Sequence, residues 1–463
     1  MGDAEAKFHV AMFPWLAMGH LTPYLHLSNH LASRGHCISF LLPRKAHSRL
    51  QQLNRYPDHI TFRTLDIPHV HGLPQGTETA SDVPLPQHHL LAEAMDLTRD
   101  QVESILNSTK PDFVFFDFAD WLPQVARPLG IKSVCYQVIT PAALAIFLDP
   151  VRRFTKDRAV TPEELRQPPP GYPSSKAVFR DYEAWKLSLM VDQFGNNVTF
   201  YERYRSAVIE SDAMAIRTCQ ETEGKFCDYI ASQCQKPVFL TGPILPEYNA
   251  ALEGRWRKWL DRFDDKSAVF CSFGSQNILE KNQFQEAVLG FELTGLPFLV
   301  SLKPPVGCAT IEEALPEGFE ERVKGRGIVY GGWFEQPLQS ILNHPSVGCF
   351  VHHCGFGSMW ESLASDCQIV LVPDHFDQIL SSNLLAEELK VAVQVEREEN
   401  GWFSKECLCN AIKSVMDEKS EVGSVVKKNH AEWRDRLTCP TFMSGYVDRF
   451  IQNLRDLATS KVG

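Results

Sequence analysis

Residues 352–363 read HHCGFGSMWESL, with two histidines, a cysteine, two glycines, two serines and a glutamate among twelve positions. Three kinds of chemistry suit that mixture. A zinc site needs matched Cys and His ligands, usually about four, at recognisable spacing. His352, His353 and Cys354 are adjacent, so their side chains diverge, and no partner pair lies nearby; a bound metal is not expected. A purely structural reading makes VGCFVHH a strand and CGFG a turn. Ser358 then caps a helix, and Glu361 completes a Ser-x-x-Glu capping box. The third reading builds on the second. A glycine turn into a helix N-terminus presents open N–H groups and the positive end of the helix dipole, which together accept a phosphate. Gly355 and Gly357 let the backbone approach closely, and Ser358 and His353 add donors. The residues alone leave the last two readings open. GxxxxGK[ST] is absent, and GRGIVYGG, 325–332, has GxG but no glycine at the third position of the dinucleotide fingerprint, and it precedes a strand rather than following one. Hydride-transfer chemistry therefore loses its main motif.

His20, in AMGHLTP, is a second candidate. Thr22 reads as an N-cap and Pro23 as the first helical residue, which puts His20 in the turn at the carboxyl end of the first strand. Catalytic side chains of open α/β sheets sit at such ends, and a histidine is the natural base near neutral pH. A base needs an orienting carboxylate. Asp117 ends the apolar run DFVFFDF, where an acid is costly unless paired; Asp120, three residues on, is the rival.

The elements that must hold these residues are legible as short apolar runs alternating with amphipathic stretches. Strands are expected at 8–15, 37–42, 60–67, 112–118, 132–139, 213–218, 268–273, 297–302, 327–332, 347–353, 368–373 and 391–396. Near-continuous apolar strands separated by helices indicate parallel sheets covered on both faces, an α/β doubly wound fold. Twelve strands overfill one sheet. TGPILPEYNAALEG, 241–254, has two prolines, two glycines and no clean period, so it is the seam between two sheets, with a ligand cleft between the domains. RQPPPGYPSSKAVFRDYEAW, 166–185, is proline-rich and aperiodic and reads as a long surface loop.

Composition narrows the partners. The chain has 463 residues and a net charge of −11 with no basic stripe, so nucleic acid is an unsuited partner. No apolar run approaches the roughly 20 residues of a membrane span, and MGDAEAKFHVAMFPW lacks a signal-peptide pattern. The 13 cysteines are scattered with no CxxC pair, which suits reduced thiols and a cytoplasmic protein. A monomer is expected.

The wider frame carries a resemblance. Residues 333–378, WFEQPLQSILNHPSVGCFVHHCGFGSMWESLASDCQIVLVPDHFDQ, resemble the signature box of plant UDP-sugar-dependent glycosyltransferases (family 1, GT-B fold), from the opening Trp through His-Cys-Gly, Ser and Glu to the final Asp-Gln. FPWLAMGHLTPYLHLSNHLASRGH, PPPGYPSSKAV and GWFSKECL extend it over essentially the whole chain and resemble the branch that adds a second sugar to a flavonoid or anthocyanin glycoside. The resemblance implies two Rossmann-like domains facing across a cleft: 1–240 for the acceptor, a linker at 241–256, 257–440 for the UDP-sugar, and a C-terminal helix in 441–463 packing back on the first. It implies that Trp333 stacks on uracil, Gln336 helps hold the nucleotide, and Glu361 accepts from the ribose hydroxyls. His353, Gly355, Gly357, Ser358 and Ser275 would meet the diphosphate, and Asp377 and Gln378 the donor sugar. His20 would be the base and Asp117 its carboxylate, since Trp121 keeps the matching offset. The implied reaction is a single inverting displacement with no metal and no cofactor beyond the co-substrate.

Three features depart from the family pattern. Trp333 to His344 is two residues longer, with the extra pair around Gln339 and Ser340, so a longer helix start is expected. Phe356-Gly357 stands where Trp-Asn is common. Phe376 precedes Asp377 where a small residue is usual, so a bulky ring could narrow the sugar pocket. The expected function is a hexosyl- or pentosyltransferase acting on a flavonoid or anthocyanin glycoside. The alternatives are the same chemistry on a terpenoid or other phenolic glycoside, a donor such as UDP-xylose or UDP-rhamnose in place of UDP-glucose, and a non-catalytic nucleotide-sugar binding protein.

Overall fold

The structure, a computed structural model, describes residues 7–148, 161–246, 251–274, 277–332, 334, 337–417 and 419–460. Among these it holds two parallel sheets. The first contains β1 (His9–Phe13), β2 (Cys37–Pro43), β3 (Ile60–Leu65), β4 (Phe113–Phe116), β5 (Lys132–Gln137), β6 (Ala213–Ile216) and β7 (Val238–Leu240), in the order β3-β2-β1-β4-β5-β6-β7. The second contains β8 (Ala268–Ser272), β9 (Phe298–Leu302), β10 (Gly327–Gly331), β11 (Val347–His352), β12 (Gln368–Leu371) and β13 (Val393–Gln394), in the order β10-β9-β8-β11-β12-β13. The two orders are the same doubly wound pattern, and the expected strands divide between the sheets on either side of the 241–254 seam. β7 is the one strand the apolar runs do not announce. It is three residues long, half-buried throughout, and runs straight into the seam.

Each sheet reverses its order beside its first strand. β1 lies between β2 and β4, with Val10 level with Ile38 on one side and Phe113 on the other. β8 lies between β9 and β11 in the same way. The loops that leave the carboxyl ends of β1 and β4 therefore meet at a switch point, as do those leaving β8 and β11, so side chains that follow adjacent strands are brought together.

Two compact units enclose the sheets: Met1–Pro173, Trp185–Leu245 and Pro440–Gly463 form one, and Ser174–Ala184 with Pro246–Cys439 the other. In the second unit successive strand residues feed opposite faces. Val269 and Cys271 join one apolar cluster with Phe291 and Ile412, while Ala268 and Phe270 join another with Trp256 and Ile341. In the first unit the helix Pro440–Thr459 lays Val447, Phe450, Ile451, Leu454 and Leu457 into the cluster that contains Val10, Met12 and Phe115. That spacing is one helical stripe.

Ser174–Ala184 departs from the expectation of a surface loop in the first domain, because it groups with the second unit. Ala177, Phe179 and Ala184 are buried, and so is Glu183. The segment is pinned by the Ser174 hydroxyl on the Glu388 carboxylate, by Lys176 Nζ donating to the Glu387 carbonyl at 3.1 Å and by Asn383 Nδ2 donating to the Val178 carbonyl at 2.9 Å. Its scattered apolar residues bury without a period, so periodicity does not reveal them.

Candidate active site

In the first unit the chain leaves β1 and enters the helix Met18–Ala32 earlier than Thr22 and Pro23 suggest. The Ala17 carbonyl accepts from the N–H of His20 and of Leu21, each at 2.9 Å, so the helix is already turning at Met18. Pro23 lies inside it, and Thr22 is not a cap. His20 is thus in the first helical turn, its side chain 19% exposed.

Asp117 follows β4 directly and its side chain is 1% exposed. Its Oδ1 accepts from the N–H of Trp15 at 2.7 Å and of Phe118 at 2.8 Å. Its Oδ2 lies 2.6 Å from Nδ1 of His20. This answers the cost of an acid at the end of an apolar strand, since both oxygens are satisfied. A carboxylate is an acceptor, so the contact assigns the proton to Nδ1 and leaves the Nε2 lone pair of His20 to take a proton from a third group. Asp120 is occupied elsewhere: its Oδ1 is 3.4 Å from Nη1 of Arg203, and burial pushes its pKa up.

An aromatic cluster surrounds this pair. The Phe118 ring stands edge-on to His20 at 5.7 Å and meets Trp15 at 5.3 Å, Phe194 at 5.9 Å, Phe200 at 5.1 Å and Tyr204 at 6.2 Å. Three of these rings come from 194–204, a stretch that carries no functional motif.

In the second unit β11 ends at His352, the backbone turns through a positive φ of 61° at Cys354, and the helix Phe356–Leu363 begins with Gly355 as its cap. Ser358 is therefore the third helical residue and not the cap, and the Ser358–Glu361 capping box does not form. The positive φ at Cys354 completes the turn early, so the helix starts three residues sooner than the motif implies. No side chain caps it. The first-turn N–H groups of Phe356, Gly357 and Ser358 have no acceptor within the helix, as at any helix start.

The two histidines diverge. His352 is fully buried; its ring stacks on Phe350 at 4.5 Å, its Nδ1 accepts from the Cys354 N–H at 3.1 Å, and burial holds its pKa well below the usual range. It is a core residue. His353 points instead over Gly274 and Gly355, where an added Cβ would stand 2.7 Å and 2.5 Å from its ring. Burial, assisted by the nearby His375, pushes its pKa down to about 4, so the ring is neutral at physiological pH. Among the described residues no group of three or more His, Cys, Asp or Glu is placed to hold a metal ion.

Glu361 lies on the Phe356–Leu363 helix, and its backbone carbonyl accepts from Gln339 Nε2 at 3.1 Å. Gln339 and Ser340, the extra pair, form part of a short helix, Leu338–Leu342. Asp377 and Gln378 open the helix Phe376–Asn383. Gln378 Oε1 accepts from the N–H of Asp374 at 3.1 Å and of His375 at 3.2 Å, closing a reciprocal cap with the His375 side chain. Its carbonyl is committed to the cap. Phe376 is the first residue of that helix and half-buried. Ser275, Trp333 and Gln336 lie outside the described residues.

Two units with Rossmann strand order, a histidine–aspartate pair after the switch-point strands of the first and a glycine turn into a helix after those of the second, define a two-domain α/β enzyme of the GT-B type. The family model described as "UDP-glucoronosyl and UDP-glucosyl transferase" matches residues 323–433. The chain is 56% identical over 464 residues to an anthocyanidin 3-O-glucoside 2'''-O-xylosyltransferase of Arabidopsis thaliana, with 99% of each chain covered. It is 54% identical over 457 residues to UDP-glycosyltransferase 79B3 of the same plant, with 98% of each covered. Among solved structures, UGT73P12 of Glycyrrhiza uralensis with glycyrrhetinic acid 3-O-monoglucuronide matches with a TM-score of 0.80 at 20% identity, covering 98% of this chain and 96% of that one. Arabidopsis UGT89C1 with UDP-L-rhamnose matches with a TM-score of 0.76 at 20% identity, covering 98% and 100%. The chain belongs to the plant family 1 UDP-glycosyltransferases and is a UDP-sugar-dependent glycosyltransferase. Among the described residues no helix is long and apolar enough to cross a membrane.

Proposed function

We propose that the enzyme transfers a sugar from a UDP-sugar to a hydroxyl on the existing sugar of a flavonoid or anthocyanin glycoside, with inversion. The observation that carries the chemistry is the 2.6 Å contact between His20 Nδ1 and Asp117 Oδ2. Asp117 holds the ring so that Nε2 takes the acceptor proton as the oxygen attacks the anomeric carbon. UDP leaves from the opposite face, which inverts the configuration in one displacement. The acceptor class is supported by the relative that acts on an anthocyanidin 3-O-glucoside.

On the donor side, His353, Gly355, Gly357 and Ser358, with Ser275, are the proposed diphosphate contacts. Glu361 takes the ribose hydroxyls, Trp333 and Gln336 the uracil end, and Asp377 with the Gln378 amide the sugar. The open N–H groups at the start of the Phe356–Leu363 helix stabilise charge growing on the leaving UDP. The displacement as written needs no metal, since His20 accepts the proton and backbone donors meet the diphosphate. We further propose a monomer in the cytoplasm.

The test is UDP release and product analysis with UDP-glucose, UDP-xylose and UDP-rhamnose against matched flavonoid glycosides and aglycones. The expected result is turnover of a glycoside with the new bond on its sugar and inverted anomeric configuration. Turnover of aglycones alone would remove the sugar-on-sugar assignment, and retained configuration would remove the single displacement.

A further inference from the structure

Arg203 lies in the first turn of the helix Phe200–Glu210, with its side chain only 1% exposed. All three guanidinium nitrogens are engaged. Nη1 and Nη2 grip the Asp96 carboxylate at 2.8 Å and 2.5 Å, Nη1 also donates to the Phe118 carbonyl at 3.1 Å, and Nε donates to the Phe194 carbonyl at 3.0 Å. Asp96 is steadied in turn by Trp121 Nε1 at 3.0 Å. One planar cation thus ties together three segments distant in sequence.

A second observation shows that the chain is shaped around this group. Gly195 has a φ of +87°, and a Cβ there would stand 2.2 Å from Arg203 Nη2 and 2.9 Å from Asp96 Oδ2. Only glycine lets the 193–199 turn close over the guanidinium. Stability alone is a weak reason for this arrangement, because a buried ion pair seldom outperforms apolar packing of the same volume.

What the clamp holds is the residue next to the base's carboxylate. The Phe118 N–H donates to Asp117 Oδ1, its ring meets His20, and its carbonyl is the one that Arg203 binds. Phe194, held through its own carbonyl, packs on Trp15 at 5.5 Å and on Phe118 at 5.9 Å. We infer that Arg203 is a positioning residue for glycosyl transfer, a single guanidinium that sets both the rotation of the Asp117 carboxylate against His20 and the aromatic wall beside it. The inference rests on the reading of His20 and Asp117 as the catalytic pair. Lysine cannot reproduce this, since one ammonium nitrogen lacks the planar fork that grips the Asp96 carboxylate with two nitrogens while reaching the Phe118 and Phe194 carbonyls.

The experiment compares Arg203→Lys and Asp96→Asn with the parent in the full chain. Kinetic constants are normalised to UDP-binding-competent protein, and the His20 Nδ1 proton is followed by NMR on 15N-histidine-labelled enzyme, assigned by its disappearance in His20→Ala. Arg203→Lys should lower kcat about 10- to 100-fold and raise the acceptor KM while leaving the donor KM in place, as expected when a positioning interaction is removed. The Nδ1 signal should shift or broaden. Asp96→Asn, which keeps the shape of the site, should give the same pattern at smaller size and covers the case in which Arg203→Lys does not fold. An unmoved Nδ1 signal, or kinetics unchanged per folded molecule beside a lowered melting temperature, overturns the inference. The proton signal reports the clamp whether or not His20 proves to be the base, so the two ideas fail separately.

Discussion

The imidazole of His353 occupies the space that a side chain at Gly355 would need: a Cβ there would stand 2.5 Å from Nε2. Gly355 has φ −58° and ψ 142°, a backbone any residue adopts, so the need for glycine is one of room and not of conformation. Gly274, on the other side of the ring, has a φ of +74° and is required on both counts. Gly355→Ala should therefore fold, push the His353 ring aside and weaken UDP binding about tenfold, or roughly 1.4 kcal/mol by titration calorimetry. UDP affinity equal to the parent's would detach His353 from the nucleotide site.

The pair in the first unit makes a different prediction. Asn in place of Asp117 can still accept from the Trp15 and Phe118 N–H groups through Oδ1, so the fold should survive. Its amide would face His20 Nδ1 with a donor and favour the wrong tautomer. Asp117→Asn and His20→Ala should each cut transfer by about 10²- to 10⁴-fold while UDP affinity holds. A His20→Ala enzyme with parental kcat would refute the base.

Glu361 can be tested without ambiguity. Were Ser358 the helix cap, Glu361→Ala would cost stability by opening a capping box. With Gly355 at the cap, that route is closed. If Glu361 takes the ribose hydroxyls as proposed, the expected outcome is a UDP Kd raised about tenfold with no loss of stability from an opened cap. A lower melting temperature with unaltered Kd would point to a structural role.

How far these features are legible depends on the range of the interactions behind them. Runs such as FVFF and FLVSL announce buried parallel strands by themselves, and the glycine- and proline-rich seam separates the two sheets. Local motifs misplace the helix starts at both sites: Thr22-Pro23 and Ser358-x-x-Glu361 each look like a cap, yet the backbone turns three to five residues earlier, at Ala17 and Gly355. His20 and Asp117 are 97 residues apart, and they pair through their positions after adjacent strands and through family resemblance. Arg203 has no such guide. Its partners lie at Asp96, Phe118 with Asp120, and Phe194, on three segments of the same unit, and no local spacing encodes that meeting.

A carboxyl that the transfer step does not use gives a pH prediction. Glu223 is fully buried at the start of the helix Gln220–Cys234, where the hydroxyls of Thr140 and Thr218 donate to its two oxygens at 2.6 Å each. Burial raises its pKa from 4.5 to about 7, against the opposing pull of the two threonines. The folded protein therefore holds a proton here that the unfolded chain has released between about pH 4.5 and 7, and stability must fall as pH rises through that window. The loss, complete above pH 7, amounts to at most about 3 kcal/mol on a scale of 1.36 kcal/mol per pKa unit. Glu223→Gln keeps the shape, stays neutral at every pH and removes this slope. Its melting temperature should exceed the parent's by several degrees at pH 8 and approach it at pH 5, as read by calorimetry across the range. A constant offset between the two proteins from pH 5 to 8 would show that Glu223 does not titrate in the window.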